Sequence, residues 1–165
     1  MLTGLRAGAM GIPFMPVRGI LGSDYFQVQP HFKNITCPFS GRELVAVKAI
    51  NPDFTVIHAF QADTRGNLLI ERHSDVDLAL QAAKVSIATV EEIVEPEELV
   101  ETAGRRRLSW LNVHYIVQAP GGARPTACPG YYQPDAVELK RYLEAAHDPE
   151  SFRAYLDQTW PPAAA

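Results

Sequence analysis

The chain has 165 residues, of which 47% are hydrophobic and 21% charged, with a formal net charge of −4 and a pI near 5.7. That is enough chain for one domain with a real core, and the acidic balance excludes a broad nucleic-acid-binding surface. No run approaches the ~18 apolar residues of a membrane span, the first residues lack signal-peptide features, and Cys37 and Cys128 each precede a proline, so a reduced, cytoplasmic protein is expected.

Leu2 to Met10 reads as the end of an amphipathic helix closed by Gly11. An α/β domain rarely opens this way, so either a fragment or a first strand supplied from elsewhere is expected. In Gly11 to Arg18, Pro13 and Pro16 remove two backbone donors and bias their predecessors toward extended shapes, so no regular structure is expected there. Gly22-Ser23-Asp24 is a turn. Tyr25 to Ser40, with Pro30 and Pro38, reads as a long irregular segment of the kind that is functional or covered by a partner.

Glu43 to Val47 is a short strand. Phe54 to Phe60 is almost all apolar or β-branched without helical spacing, which predicts a parallel strand covered on both faces. It runs into Ala62 to Asn67, which carries an acid, a base, a glycine and an amide where ligands sit in open α/β sheets. Gly66 to Glu71 leads into another strand. Val76, Ala79, Leu80 and Ala83 predict a helix over 75–84, capped by Ser74 or Asp75.

Val85 to Val90 is a second buried strand, with Glu91 and Glu92 at its carboxyl end. Pro96 opens a helix to Ala103, closed by Gly104, and Arg105-Arg106-Arg107 reads as a solvated charge run. Asn112 to Gln118 is a third strand, followed by loops over 120–125 and 129–133. Helices start at Pro134-Asp135, with Val137, Tyr142 and Leu143 on the apolar side, and at Asp148-Pro149, where Asp148 is the capping acid. Trp160-Pro161-Pro162 ends the last helix. Strands alternating with helices predict α/β: a mostly parallel sheet with helices on both faces. A single domain is expected over 1–158, and 159–165 as a disordered tail.

The pattern Pro52-Asp53 through Gly66-Asn67, followed by Ala82-Ala83-Lys84, a strand and Thr89-Val90-Glu91-Glu92-Ile93-Val94, resembles the A (alpha) subunit of family I coenzyme A transferases of the glutaconate CoA-transferase type. Its flanks agree. Gly11-Ile12-Pro13-Phe14-Met15-Pro16 with Gly22-Ser23-Asp24 is similar to that subunit's proline loop, Cys37-Pro38-Phe39-Ser40-Gly41 to its Pro-Phe-Thr-Gly turn, and Ala119 to Thr126 followed by Tyr132 to its late loop. The match corresponds to the C-terminal half of the family's subunit, lacking the N-terminal strands and a glycine-rich oxyanion loop.

The resemblance implies transfer of coenzyme A between carboxylic acids in a hetero-oligomer with a B subunit, which supplies the nucleophilic glutamate. No catalytic residue is expected in this chain. The acyl-CoA is a substrate, with no permanently bound cofactor and no nucleic acid or membrane as partner. A CoA-thioester or ring-opening hydrolase on the same plan, and a non-catalytic chain that binds a partner, are the alternatives.

The candidate pocket residues are Asp63, Gly66, Asn67, Glu91, Glu92, Phe14 and Arg124. Each has a plainer reading. Asp, Gly and Asn are the residues of a tight turn, Glu91 and Glu92 begin an acidic stretch, and Arg124 lies in a loop. His58 and His114 read as core histidines whose hydrogen bonds are satisfied. The five histidines show no metal-ligand spacing.

Overall fold

A computed structural model of the chain describes residues 2–159. The Trp160-Pro161-Pro162 stop, and the tail beyond Thr159, lie outside the described residues. Contacts divide the chain into two compact units, residues 1–120 and 121–165.

In the first unit, helix α1 (Leu2–Ala9) leads to a small antiparallel sheet of β1 (Phe14–Val17), β2 (Phe32–Thr36) and β3 (Glu43–Lys48), in the order β1-β3-β2. The short helix α2 (Asp24–Val28) lies between β1 and β2. Two expectations are corrected here. The proline stretch forms a strand because β1 is an edge strand, where the donor missing at Pro16 breaks no central ladder. The segment expected to be irregular over 25–40 holds a helix and a strand. Its Phe32 packs tilted against Tyr25 and stacked on Phe26, at ring-centroid distances of 5.7 and 6.4 Å, which ties the two elements together. Helix α1 approaches the following segment so closely that a Cβ on Gly8 would stand 2.2 Å from Ile50 O.

The larger sheet comprises β4 (Phe54–Asp63), β5 (Leu68–Glu71), β6 (Val85–Val94), β7 (Arg105–Leu108) and β8 (Tyr115–Gln118), in the order β7-β5-β4-β6-β8. Strands β4, β6 and β8 are parallel, whereas β5 and β7 run antiparallel. The architecture is therefore α/β with mixed sheets rather than one mostly parallel sheet. Helix α3 (Val76–Ala82) sits between β5 and β6. Its Leu80 joins Ala59, Leu68, Ile70, Ala88 and Val90 in the core, with Ile57, Val76 and Ile116 packed against them. Neither Ser74 nor Asp75 caps α3 as expected: Asp75 occupies the cap position without a side-chain bond, and Ser74 Oγ donates to Glu71 O.

Alternation puts Phe54 and Val56 of β4 on the face opposite this core, the same face as Tyr115 and Val117 of β8, with β6 between the two strands. These four are 66%, 65%, 61% and 49% exposed. The expectation that β4 is covered on both faces is thus overturned: α3 packs against one face, whereas Phe54 and Val56 on the other stay exposed.

The expected helix over 96–103 is absent. Its carbonyls are taken by arginines: Arg107 donates to Pro96 O and Leu99 O, and Arg72 to Thr102 O and Ala103 O. The run 105–107 is β7, not a solvated face, and Arg106 also donates to Arg72 O and Ser74 O and pairs with Asp77 at 3.2 Å.

In the second unit, Tyr132 Oη accepts from Ala123 N at 2.9 Å, closing the loop after residue 120. Helices α4 (Ala136–Ala145) and α5 (Pro149–Thr159) start where expected. Asp135 accepts from Glu138 N at 3.0 Å and Asp148 from Ser151 N at 2.9 Å. Tyr142 packs edge-on against both Phe152 and Tyr155, with centroids 5.9 Å away in each case.

Candidate functional site

The carboxyl ends of β4 and β6 gather most of the polar candidates. At the end of β4, Asp63 is buried and accepts from Arg65 N at 3.0 Å, Asn67 N at 2.8 Å and Asn67 Nδ2 at 2.7 Å. Burial pushes the Asp63 carboxyl up, but the hydrogen bonds from Asn67 and Arg65 and the charge of Arg107 outweigh it and hold the group below its ordinary value. Asn67 Oδ1 accepts from Trp110 N at 3.3 Å, so the turn is tied to the segment before β8.

Gly66 has φ +89°, and a Cβ there would meet Trp110 Cβ at 3.2 Å. Alanine at Gly66 combines a left-handed backbone with that contact, so Gly66→Ala lowers stability by about 1–2 kcal/mol, read as an earlier urea midpoint. The polar groups of Asp63 and Asn67 thus close the rim of the sheet.

Strand β6 runs to Val94, so Glu91 and Glu92 lie inside it rather than past its end. Glu92 is exposed and accepts from Gln61 Nε2 at 2.9 Å. Glu91 is buried, with Oε1 2.7 Å from His58 Nε2. The other ring nitrogen, Nδ1, lies 2.8 Å from Thr89 Oγ1, which donates to Ile57 O at 3.2 Å. Each ring nitrogen therefore faces an oxygen, and the His58 side chain is only 16% exposed. The sequence singled out His58 and Glu91 separately but not together. Their pairing follows from the parallel register, in which Phe54 stands beside Val85 and His58 beside Thr89, so that a residue two further along β6 returns to the same face. His114 has the expected hydrogen bond, its Nδ1 accepting from Ser86 N at 3.1 Å, but it is exposed rather than in the core.

The other two candidates belong to other elements. Arg124 is in the second unit, its guanidinium over the Tyr132 ring at 4.8 Å. Phe14 is on β1, 41% exposed and lining a cavity of about 500 Å³ on the small sheet.

The sequence model of the Coenzyme A transferase family matches residues 1–119. The chain belongs to this family. The A component of 3-oxoadipate CoA-transferase from Pseudomonas knackmussii is 40% identical over 153 residues, covering 92% of this chain and 54% of that protein. The cholesterol ring-cleaving hydrolase IpdA subunit of Mycobacterium tuberculosis is 36% identical over 154 residues, covering 87% of this chain and 52% of that one. Among solved structures, glutaconate coenzyme A-transferase from Acidaminococcus fermentans superposes with a TM-score of 0.81 at 31% identity, over 95% of this chain and 55% of that one. The resemblance to the A components of CoA-transferases seen in the sequence is supported, and this chain spans about half the length of these relatives.

Proposed function

We propose that this chain forms part of the A component of a CoA-transferase and works with a B subunit in the cytoplasm. The observation that supports this best is its 40% identity, across 92% of its length, to a protein named as the A component of such a transferase. In this reading a glutamate carboxylate on the B subunit's chain attacks the thioester carbonyl of an acyl-CoA, and the C–S bond breaks to give an acyl-glutamyl anhydride and CoA thiolate. The thiolate attacks the glutamyl carbonyl and expels the first carboxylate, leaving a glutamyl thioester. A second carboxylate then reverses both steps. The exchange is covalent catalysis, one hard step divided into easier ones, and acyl-CoA enters as substrate rather than resident cofactor.

This chain's share is positioning. The Asp63–Gly66–Asn67 turn holds the rim of the parallel strands, and the His58–Glu91 pair presents a fixed polar group on the adjoining sheet face. Glu92, Phe14 and Arg124 are the remaining candidates for contact with the acyl-CoA or the carboxylic acid. The hydrolase name carried by the mycobacterial relative gives a second reading, in which water takes the place of the acceptor acid.

The test is co-expression with a B subunit, incubation with an acyl-CoA, and borohydride reduction. Transfer leaves a reduced glutamate on the B subunit, detected by peptide mass, and moves the CoA to an added carboxylic acid. Steady CoA release with nothing trapped establishes the hydrolase. A stable complex that neither traps nor releases CoA overturns both and leaves a binding chain.

A further inference from the structure

The turn between β2 and β3 carries a side chain that the transferase reading does not use. Phe39 is 98% exposed, more than any other large hydrophobic among the described residues. Its turn, Cys37-Pro38-Phe39-Ser40-Gly41, is fixed from several sides. Cys37 N donates to Arg42 O at 2.8 Å and Gly41 N to Cys37 O at 2.9 Å, with Gly41 in the left-handed region at φ +65°. Pro38 restricts its own backbone. The Ser40 side chain and the amides of Phe39 and Ser40 hydrogen-bond the Cys37 sulfur and hold that thiol below its ordinary value. At the base of the turn, Thr36 Oγ1 donates to Glu43 Oε1 at 2.9 Å. A slack loop could fold an apolar ring back onto the protein, whereas this one holds the ring out in water. A ring presented by a fixed turn loses little freedom on docking, which is the property of an interface anchor.

The same small sheet carries a socket. A cavity of about 480 Å³ lies at the other end of the β2–β3 ladder, at the pair Phe32 and Val47. Tyr25, Ala49 and Ile50 complete its apolar walls, and Tyr25 and Ile50 are 57% and 38% exposed, so the walls are open to an incoming group. A hollow of about 150 Å³ already holds one benzene ring. Aromatic walls at Tyr25 and Phe32 add edge-on or offset contacts to the burial.

The pairs Phe32–Val47 and Thr36–Glu43 bound the ladder, so about 13 Å of paired strand separates the socket from the turn. Two copies laid with these ladders antiparallel bring each Phe39 to the other copy's cavity. Both contacts then form at once, and the pair closes about a two-fold axis. We propose that this chain self-associates through its small sheet, the Phe39 ring of each copy seated in the cavity at Tyr25, Phe32 and Val47 of the other. A second copy is the occupant because the chain itself carries the complementary socket. The pairing needs neither acyl-CoA nor a B subunit.

The test is sedimentation equilibrium of the full chain across a wide concentration range. Wild type forms a dimer that dissociates on dilution. Phe39→Ser weakens the dimer by about a hundredfold or more, roughly tenfold or more for each of the two rings left in water. At dilution, where wild type is monomeric, the variant keeps the wild-type urea midpoint, because in the monomer the ring is already exposed. Phe39→p-benzoylphenylalanine keeps an aromatic knob, and irradiation joins it to residues 25–50 of a second copy, read by peptide mass in the species of doubled size. A wild type that is monomeric at every soluble concentration overturns the pairing, as does a dimer that Phe39→Ser leaves equally tight. A cross-link outside residues 25–50, or to a co-expressed B subunit in place of a second copy, also overturns it. So does assembly that grows past the dimer, since sockets filled in one direction build an open chain.

Discussion

His58→Leu lowers the unfolding free energy by about 3 kcal/mol, because it removes one partner of a buried hydrogen-bonded pair and leaves the Glu91 carboxylate without its 2.7 Å donor. Urea titration at neutral pH reads this as an earlier midpoint with an unchanged slope. Glu91→Leu costs a similar amount, since the His58 Nε2 then loses its acceptor. The double variant is the informative one. With both groups replaced by apolar side chains no desolvated partner is stranded, so it is more stable than either single variant, and the cycle shows a coupling of roughly 1–3 kcal/mol. Single variants within about 0.5 kcal/mol of wild type would show that water reaches the pair and that it does not order this face. The double variant also separates stability from function: if the pair helps to form the site, the protein folds yet loses turnover with its B subunit.

That pair shows where the sequence was legible and where it was not. Strands β4 and β6 were evident from their apolar, β-branched runs, α4 from the Pro134-Asp135 start and its apolar side, and α5 from its capping acid. Their contents follow from local chemistry. The bond between His58 and Glu91 depends on register between two strands far apart in the chain, which neither segment encodes alone. The same holds for Phe32 and Val47 at the proposed socket. Read along the chain, one falls in a proline-bounded irregular stretch and the other in a short strand. Only pairing of β2 with β3 puts them side by side. Proline misled at β1 because its cost depends on whether a strand is central or at an edge, which the sequence leaves open. The segment 96–103 misled for a related reason. Its acid-rich pattern suits a helix, but arginines from β7 and from after β5 take its carbonyls, a tertiary bond in place of a helical one.

Asp63→Asn costs about 2 kcal/mol at pH 7. The side chain is buried, and one of its oxygens accepts from two backbone amides while the other accepts from Asn67 Nδ2. An asparagine in the same pose can keep the first oxygen but turns an amide donor toward the Asn67 amide, so a donor meets a donor where an acceptor is required. The loss depends on pH, and the direction is fixed. Because the folded state holds the Asp63 carboxyl below its ordinary value, its ionised form stabilises the fold fully above the unfolded value of about 4, and that contribution is lost as pH falls through the lower folded value. Asparagine does not titrate. The gap between wild type and variant, measured by urea unfolding at successive pH values, is therefore widest at neutral pH and closes as wild type is acidified below about pH 4. Comparing the gap rather than the wild-type curve is essential, because Asp53, held low by Lys84, and Asp148, held low by Ser151, add acid sensitivity of the same sign to both proteins. A gap that stays constant down to about pH 3 would show that the Asp63 charge contributes nothing and that the asparagine fails only by shape. A gap that closes ties the rim of the parallel strands to an ionised carboxylate at the end of β4.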